Sequence, residues 1–126
     1  MSKIFNKVTG NFGEDFACDY LIKNNYTILE RNFTSYRGEL DIIASKNNEI
    51  IFIEVKTRAQ SFCGEPAEAV NSHKKMRLYM VAEYYLYLHN LLDSKVRFDV
   101  IEVYIHGTNS FEIHHLKDTI WDKPYR

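Results

Sequence analysis

The 126-residue sequence is poor in the residues that mark several broad classes of protein. It contains two Pro and five Gly, whereas 45% of its residues are hydrophobic, which excludes a collagen-like or disordered chain. The two cysteines, Cys18 and Cys63, form no CxxC pair, which favours free thiols over a disulfide scaffold. No run of about eighteen apolar residues occurs, and Met1 to Phe5 has no signal-peptide core. We therefore expect a cytoplasmic protein with no membrane partner.

A large excess of one charge is also missing. The 16 basic residues nearly balance the 17 acidic residues, so the overall electrostatic field would not attract a polyanion. Between Lys56 and Arg77, however, five basic residues stand against two acidic residues. A nucleic-acid partner would depend on this local excess or on a metal ion, although charged stretches are more often simply solvated faces.

The pattern of apolar residues predicts one domain over residues 1–126, with 117–126 as a C-terminal tail. Helices are predicted over 12–24, after a turn at Thr9-Gly10-Asn11, and over 72–91. The second helix carries an apolar stripe that we assign to the core: Met76, Met80, Tyr84, Tyr87 and Leu91. Strands are predicted over 26–33, 39–44, 50–57, 97–105 and 111–116, and a loop begins at Arg58. The order α-β-β-β-α-β-β predicts an α/β fold with a mixed sheet flanked by helices.

A β-hairpin around Asn47-Asn48 carries the most informative residues. Asn tolerates the positive φ of a tight two-residue turn, and such a turn fixes the register of the two strands. Asp41 would then lie opposite Glu54, and Glu39 opposite Lys56. Because side chains alternate between faces, these four would share one face of the sheet. The other face would bury an apolar set: Leu40, Ile42, Ala44, Ile51, Ile53 and Val55.

The predicted pair of facing carboxylates requires compensation. At a Cβ separation of about 5 Å and an effective dielectric near 20, two carboxylates repel by roughly 3 kcal/mol. A hard divalent cation such as Mg²⁺ or Mn²⁺ would relieve this repulsion and leave positions open for a phosphate. Alternatively, Glu39 and Lys56 form an ordinary cross-strand ion pair, and Lys56 screens the acids. The residues by themselves leave both possibilities open.

Asp41, a spacer of twelve residues and Glu54-Val55-Lys56 together resemble the PD-(D/E)XK nuclease motif. A wider set of residues in the same order resembles the YraN-like family of bacterial proteins over roughly residues 9–104. This set comprises Gly13-Glu14-Asp15-Phe16-Ala17, Arg31-Asn32, Arg37-Gly38-Glu39-Leu40-Asp41, Phe52 to Arg58, Lys74 and Arg97-Phe98-Asp99. That family is similar to the Holliday-junction-resolvase branch of the nuclease superfamily, which implies a restriction-endonuclease-like fold.

The resemblance also implies roles for individual residues. Asp41 and Glu54 would be metal ligands, the Val55 carbonyl a third ligand, and Glu14 on the first helix a fourth. Lys56 would orient the attacking water or stabilise charge on the phosphorane. These roles agree with what phosphodiester hydrolysis needs: an activated water, a polarised phosphoryl oxygen and positive charge near the transition state.

Four basic residues are candidates for contacting nucleic acid: Arg37, Arg58, Lys74 and Lys75. Lys74 would lie near the start of the second helix, where backbone N–H groups can also meet a phosphate. Glu39 is an extra acid that would serve a second metal or pair with Lys56. The Pro that precedes the Asp in the superfamily is Leu40 here, which weakens the motif without removing a ligand.

These features predict a Mg²⁺- or Mn²⁺-dependent phosphodiesterase that acts on branched or flapped DNA. Dimerisation of two copies would supply a composite groove for DNA. The alternative is a non-catalytic nucleic-acid-binding or assembly module that partners a DNA-processing machine such as a helicase. A carboxylate-lysine site that acts on another kind of substrate is the third hypothesis.

Overall fold

The computed structural model describes residues 3–59, 72–107 and 110–119. Within these ranges, two helices and five strands follow one another in the predicted order, which confirms the α/β class. Their bounds are α1 Lys3–Lys23, β1 Thr27–Ser35, β2 Gly38–Lys46, β3 Glu49–Ala59, α2 Ser72–Leu88, β4 Lys95–His106 and β5 Ser110–Leu116. None of the described helices is long and apolar enough to cross a membrane.

The five strands form one mixed sheet in the order β1-β2-β3-β4-β5. Neighbouring strands are antiparallel except β3 and β4, which are parallel and are connected through α2. A parallel pair needs such a crossover, because its two strands must both start at the same end of the sheet. This sheet with its flanking helices is the predicted restriction-endonuclease-like arrangement, and β5 lies at one edge of the sheet.

Each face of the sheet is covered by one helix. The cluster on the α1 face contains Ala17, Cys18, Leu21, Tyr26, Ile42, Ala44, Ile51, Ile53, Ile101 and Val103. The cluster on the α2 face contains Phe33, Leu40, Ile43, Ile50, Phe52, Leu78, Val81, Ala82, Tyr85, Leu86, Phe98 and Val100. The central strands β3 and β4 therefore bury apolar side chains on both faces, as strands between two helical layers do.

The hairpin turn of β2 and β3 has the predicted geometry. Asn47 and Asn48 have φ values of 52° and 64°, which is the conformation that a two-residue turn with the right twist requires. The register follows directly: Lys46 lies opposite Glu49, and Ile42 lies opposite Ile53. The central part of the candidate site was therefore predicted from one dipeptide.

The prediction that Leu40 and Ile42 share a face is wrong. Leu40 packs on the α2 face, whereas Ile42 packs on the α1 face. The paired strand β1 changes face at the same level, because Asn32 has a φ of 55° and the β1–β2 ladder skips Asn32 and Asp41. The regular alternation assumed in the prediction is therefore interrupted between Leu40 and Ile42.

Both helices depart from their predicted bounds. The predicted turn at Thr9-Gly10-Asn11 is wrong, since α1 begins at Lys3 and continues through these residues. One Gly inside a helix costs about 1 kcal/mol and does not end it. Helix α2 ends at Leu88 and not at 91, because Asn90 adopts a φ of 57° and Leu91 N–H bonds back to the Leu86 carbonyl.

The core stripe predicted for α2 is wrong for three of its five residues, whereas Leu91 packs against the α2-face cluster as predicted. Tyr84 and Tyr87 are exposed, as is Met76, whereas the buried side of the helix is formed by Leu78, Val81, Ala82, Tyr85 and Leu86. Both sets have helical spacing, so the helix is apolar on two sides and periodicity cannot distinguish the buried one. An exposed apolar surface remains on α2.

Strand β3 continues to Ala59, so Arg58 lies on a strand and not in the predicted loop. The rest of that loop, Cys63 and residues 120–126 of the tail lie outside the described residues. Cys18 is a buried free thiol, as expected.

Candidate active site

The candidate site begins where β3 extends beyond the cover of α2. Phe52 is the last apolar side chain of β3 in the α2-face cluster. Glu54, Lys56 and Arg58 follow it on the same face by alternation. The first turn of α2 brings Lys74 to this surface, where its Nζ lies 2.6 Å from Glu54 Oε2. The parallel β3–β4 pair thus carries charged groups at the end from which α2 departs.

Asp41 enters the site from β2, at the point where that strand changes face. Its Oδ2 accepts a hydrogen bond of 2.8 Å from Val55 N–H, which continues the contact between β2 and β3 beyond the regular ladder. Burial raises the pKa of Asp41 to about 8, with a further contribution from the neighbouring Glu54 carboxylate. The predicted proximity of Asp41 and Glu54 is therefore present, through the face change of β2 and the hydrogen bond between Asp41 and Val55 N–H.

Two lysines surround Glu54. The Glu54 side chain is buried, and its Oε2 lies 3.5 Å from Lys56 Nζ and 2.6 Å from Lys74 Nζ. Burial lowers the pKa of Lys56, and the adjacent Lys74 ammonium lowers it further against the pull of Glu54. For Lys74 burial is the largest single effect and also lowers the pKa, but the hydrogen bonds to Glu54 and Lys56, together with the charges of Glu54 and Asp41, outweigh it and raise the pKa. Lys56 is the lysine that gives up a proton more easily.

Glu14 reaches the same region from α1. Its Oε1 is buried without a hydrogen-bond partner, and Arg31 Nη2 lies 3.8 Å away. Burial raises the pKa of Glu14, and the charge of Glu39 adds to this effect. The helix can approach so closely because residue 13 is Gly: a Cβ there would lie 2.0 Å from Thr57 Oγ1. Glu14 and Asp41 also interact electrostatically.

These donors can be compared with what a hard divalent cation needs. Carboxylate oxygens are suitable, and a cation would relieve both the Asp41–Glu54 repulsion and the unpartnered Glu14 oxygen. Lys74 at present neutralises Glu54. Across residues 3–59, 72–107 and 110–119, no three acidic, His or Cys side chains already converge on a metal-binding point. The donor set fits a Mg²⁺- or Mn²⁺-type ion in chemistry, with Lys74 in competition for one donor.

Comparison with known proteins relates these residues to a family. Residues 13–103 match the model of the uncharacterised protein family UPF0102. The chain belongs to this family. Its UPF0102 relatives include a protein from Clostridium beijerinckii that is 46% identical over 119 residues, 94% of this chain and 96% of the relative. A UPF0102 protein from Clostridium botulinum strain Alaska E43 is 46% identical over 117 residues, 92% of this chain and 96% of the relative.

A third UPF0102 protein, from Caldanaerobacter subterraneus, is 44% identical over 105 residues, 83% of this chain and 86% of the relative. The UPF0102 match begins at Gly13, the residue that seats α1 against β3, and ends on β4. It therefore spans the four residues around which the site is built: Glu14, Asp41, Glu54 and Lys56. The YraN-like resemblance read from the motifs is confirmed.

The basic residues of this UPF0102 chain that were predicted to contact nucleic acid lie in different places. Arg58 Nη2 lies 4.0 Å from Glu102 Oε2 on the same face as Lys56, and the half-buried Lys75 follows Lys74 on α2. Arg37 lies in the β1–β2 turn, over the ring of Tyr36. The structure therefore brings Lys74 to the acids and leaves Arg37 apart from them.

Glu39 does not pair with Lys56 as predicted. Its register partner is Thr34, whose hydroxyl donates to Glu39 Oε2 over 3.3 Å. The change of face at Asp41 separates Glu39 from Lys56, so the ordinary cross-strand ion pair is not formed. The Val55 N–H is occupied by Asp41, and the Val55 carbonyl stays a predicted ligand.

Sequence reasoning missed Glu102. This acid is 1% exposed on β4, lies opposite Lys56 in the β3–β4 register, and its Oε2 has no hydrogen-bond partner among the described residues. The signal was available: a Glu in the run Ile101 to Val103 is unusual, because buried central strands are nearly always apolar. Arg31, which lies near Glu14, was recognised only as part of a motif.

Proposed function

We propose that the chain is a Mg²⁺- or Mn²⁺-dependent phosphodiesterase that cleaves branched or flapped DNA. One observation carries the proposal: the carboxyl groups of Asp41 and Glu54 meet beside the ammonium group of Lys56. Two carboxylates and one lysine at the end of a central strand are what metal-assisted phosphodiester hydrolysis requires. The preference for branched or flapped DNA comes from the resemblance to the resolvase branch.

In this proposal Asp41 and Glu54 hold the cation, with Glu14 and the Val55 carbonyl as further donors. The bound cation would polarise a phosphoryl oxygen and lower the pKa of a coordinated water. Glu14 suits this role because its Oε1 is buried and lacks a hydrogen bond. Because its pKa is raised, Asp41 would lose its proton at neutral pH only when a bound cation neutralises the negative charge of the neighbouring acids.

The lysines have separate tasks in the proposal. Because the pKa of Lys56 is lowered, its amine can orient or deprotonate the attacking water. Lys74 would leave Glu54 and turn to the phosphate, where a cation stabilises developing negative charge. Arg58 and Lys75 would contact neighbouring phosphates, which gives affinity without sequence preference. Arg37 lies apart from the acids, over the ring of Tyr36, and has no part in the proposed cleavage.

The test is cleavage of a four-way junction and a flapped duplex with Mg²⁺ or Mn²⁺ present. We expect Asp41→Asn and Lys56→Ala each to lose about 10²-fold or more in rate. Asp19→Asn, which changes an exposed acid of α1, should cleave like the wild type. Cleavage that is equal in the wild type and Asp41→Asn, or absent in all of them with both cations, would contradict the proposal.

A second function is favoured by a different observation. Lys74 lies 2.6 Å from Glu54 and occupies a carboxylate that a metal ion would need. This contact favours a non-catalytic nucleic-acid-binding or assembly module that partners a helicase. Such a module would bind branched DNA in EDTA, and Glu54→Gln would leave its affinity unchanged. A cation-dependent affinity that Glu54→Gln abolishes would favour the enzyme.

A further inference from the structure

An open groove lies between α2 and the β1–β2 turn, away from the acid site. We call it the tyrosine groove. Its volume is about 460 Å³, and it is lined by Ser35, Tyr36, Arg37, Met80, Glu83, Tyr84, Tyr87 and Leu92. Most of these residues are apolar or aromatic, and several belong to the exposed stripe of α2.

The tyrosine groove leaves several large apolar side chains exposed to solvent. Tyr36 is 87% exposed, Tyr87 is 65% exposed and Leu92 is 55% exposed. Contiguous apolar surface of this kind usually marks a site of interaction. Ile22 on α1 is also exposed, but a single exposed apolar residue is common and does not indicate an interaction site.

The groove is held in shape by the fold. Gly38 ends the β1–β2 turn with a φ of 148° and lies against Val81 of α2. The ring of Tyr84 packs on Phe33 of the core, with 6.2 Å between centroids. A preformed surface of this kind loses little conformational entropy when a partner binds.

Two opposite charges stand in the tyrosine groove. Arg37 lies over the ring of Tyr36, 4.8 Å from its centroid, and Glu83 is exposed on α2. Neither makes an ion pair within the part of the chain that the structure describes. One cation and one anion give no net field to attract a polyanion, which argues against a nucleic acid as the occupant.

We propose that the tyrosine groove is the contact surface of a homodimer. In a two-fold interface the same patch meets itself, so Arg37 would pair with Glu83 of the partner subunit, and Glu83 with Arg37 of the partner subunit. The patch is thus complementary in charge to its own copy. Its Tyr, Met and Arg side chains are the types enriched at the centre of protein interfaces.

This inference goes beyond the proposed function and does not depend on it. Lys74 and Tyr84 are ten residues apart on α2, which corresponds to about 15 Å along the helix axis. Lys74 serves the acid site, whereas Tyr84 lines the groove. A dimer through the groove leaves the acid site of each subunit open to substrate.

Sedimentation equilibrium of the full chain over about 1–200 µM tests the dimer. We expect Arg37→Glu and Glu83→Arg each to raise the dimer Kd by about tenfold or more, because each places like charges opposite one another. The double variant Arg37→Glu/Glu83→Arg should restore the wild-type Kd, since it exchanges the charges. Arg77→Glu, an exposed reversal on the same helix outside the groove, should leave the Kd unchanged.

The double variant shows whether the single variants lose the dimer through charge repulsion or through misfolding. It carries both substitutions and should still dimerise. A wild-type chain that is monomeric throughout would overturn the proposal, and so would single variants that dimerise normally or a double variant that stays monomeric. Tyr87→Ser serves as the second probe. If the wild type is monomeric and Tyr87→Ser weakens binding of oligo-dT, the groove receives unpaired bases and the dimer proposal is overturned.

Discussion

The Asp41 side chain is constrained by its position in β2, by a hydrogen bond and by a neighbouring acid. It lies where β1 and β2 both change face, and its carboxylate accepts the N–H of Val55. It is also next to Glu54, which is held by two ammonium groups. Burial, followed by the charge of the neighbouring Glu54, raises the pKa of Asp41 to about 8, so this carboxyl keeps its proton at neutral pH. In the proposed enzyme, a bound cation would replace this proton.

The raised pKa of Asp41 predicts how stability depends on pH. The carboxyl titrates near 3.8 when unfolded and about 8 when folded, so the folded state binds the extra proton between these values. This contribution is full below pH 4 and is lost as pH rises towards 8, by up to about 1.4 kcal/mol per pH unit. In Asp41→Asn this contribution is absent. We therefore expect the wild type, relative to Asp41→Asn, to lose stability between pH 5 and 8, measured by urea unfolding in EDTA.

The comparison with Asp19→Asn supplies the control, because that exposed acid should follow the wild-type pH profile. A constant difference in unfolding free energy between the wild type and Asp41→Asn from pH 5 to 8 would show that Asp41 titrates normally. Added Mn²⁺ should reverse the trend in the wild type, since a cation binds the deprotonated carboxylate.

The secondary-structure elements were predictable to the extent that local chemistry determines them. Asn47 and Asn48 determine their turn and hence the β2–β3 register. Periodicity could not identify the buried side of α2, because Tyr84 and Tyr85 both belong to stripes of helical spacing and only the sheet decides between them. The face change at Asn32 was equally hidden, since a positive φ inside a strand depends on the paired strand and on tertiary contacts.

The seating of α1 on β3 gives a prediction for Gly13. An added Cβ would lie 2.0 Å from Thr57 Oγ1 and 3.2 Å from Thr57 Cβ. Rotation of the Thr57 side chain relieves only the first contact, so the helix must shift. We expect Gly13→Ala to destabilise the fold by about 1–3 kcal/mol and to weaken Mn²⁺ binding, because Glu14 follows directly. Urea unfolding and calorimetric titration with Mn²⁺ measure the two effects.

Thr57→Ala provides the matched variant for a double-mutant cycle. It removes Oγ1 and leaves more room, so Gly13→Ala/Thr57→Ala should be more stable than the sum of the single changes predicts. Strict additivity would mean that the contact is not the cause of the destabilisation.

At the scale of the whole molecule, the described residues form two clusters of charged side chains with different roles, the acid site and a cluster around Asp99. The acid site lies at one end of the central strands, and its members come from α1, β2, β3 and α2. Sequence motifs identified Asp41, Glu54 and Lys56, because their spacing along one hairpin is local. They could not identify Glu102, whose position beside Lys56 depends on the parallel pairing with a strand nearly fifty residues away. The second cluster surrounds Asp99 and is structural.

Asp99 connects elements that are distant in the chain. It is fully buried on β4 and accepts hydrogen bonds from Arg97 at 2.9 Å, His115 Nε2 at 2.7 Å and Asp118 N–H at 2.8 Å. Through His115 Nδ1, which lies 2.9 Å from the Tyr20 hydroxyl, the network also reaches α1. Burial alone would raise the pKa of Asp99, but these hydrogen bonds hold it below its usual value.

Because the pKa of Asp99 is lowered on folding, its contribution to stability is present above about pH 4 and is lost as pH falls through the folded value. Asp99→Asn removes the buried counter-charge of Arg97, which then keeps Glu49 at 3.4 Å as its acidic partner, and it weakens the acceptor of His115 Nε2. We therefore expect a loss of about 3–5 kcal/mol at pH 7. Tyr20→Phe, which removes one neutral hydrogen bond, should cost only about 1 kcal/mol and keeps the test informative if Asp99→Asn does not fold. Asp93→Asn, at an exposed acid between α2 and β4, is the control in urea unfolding. A loss below about 1 kcal/mol in Asp99→Asn would mean that the network does not hold α1, β4 and β5 together.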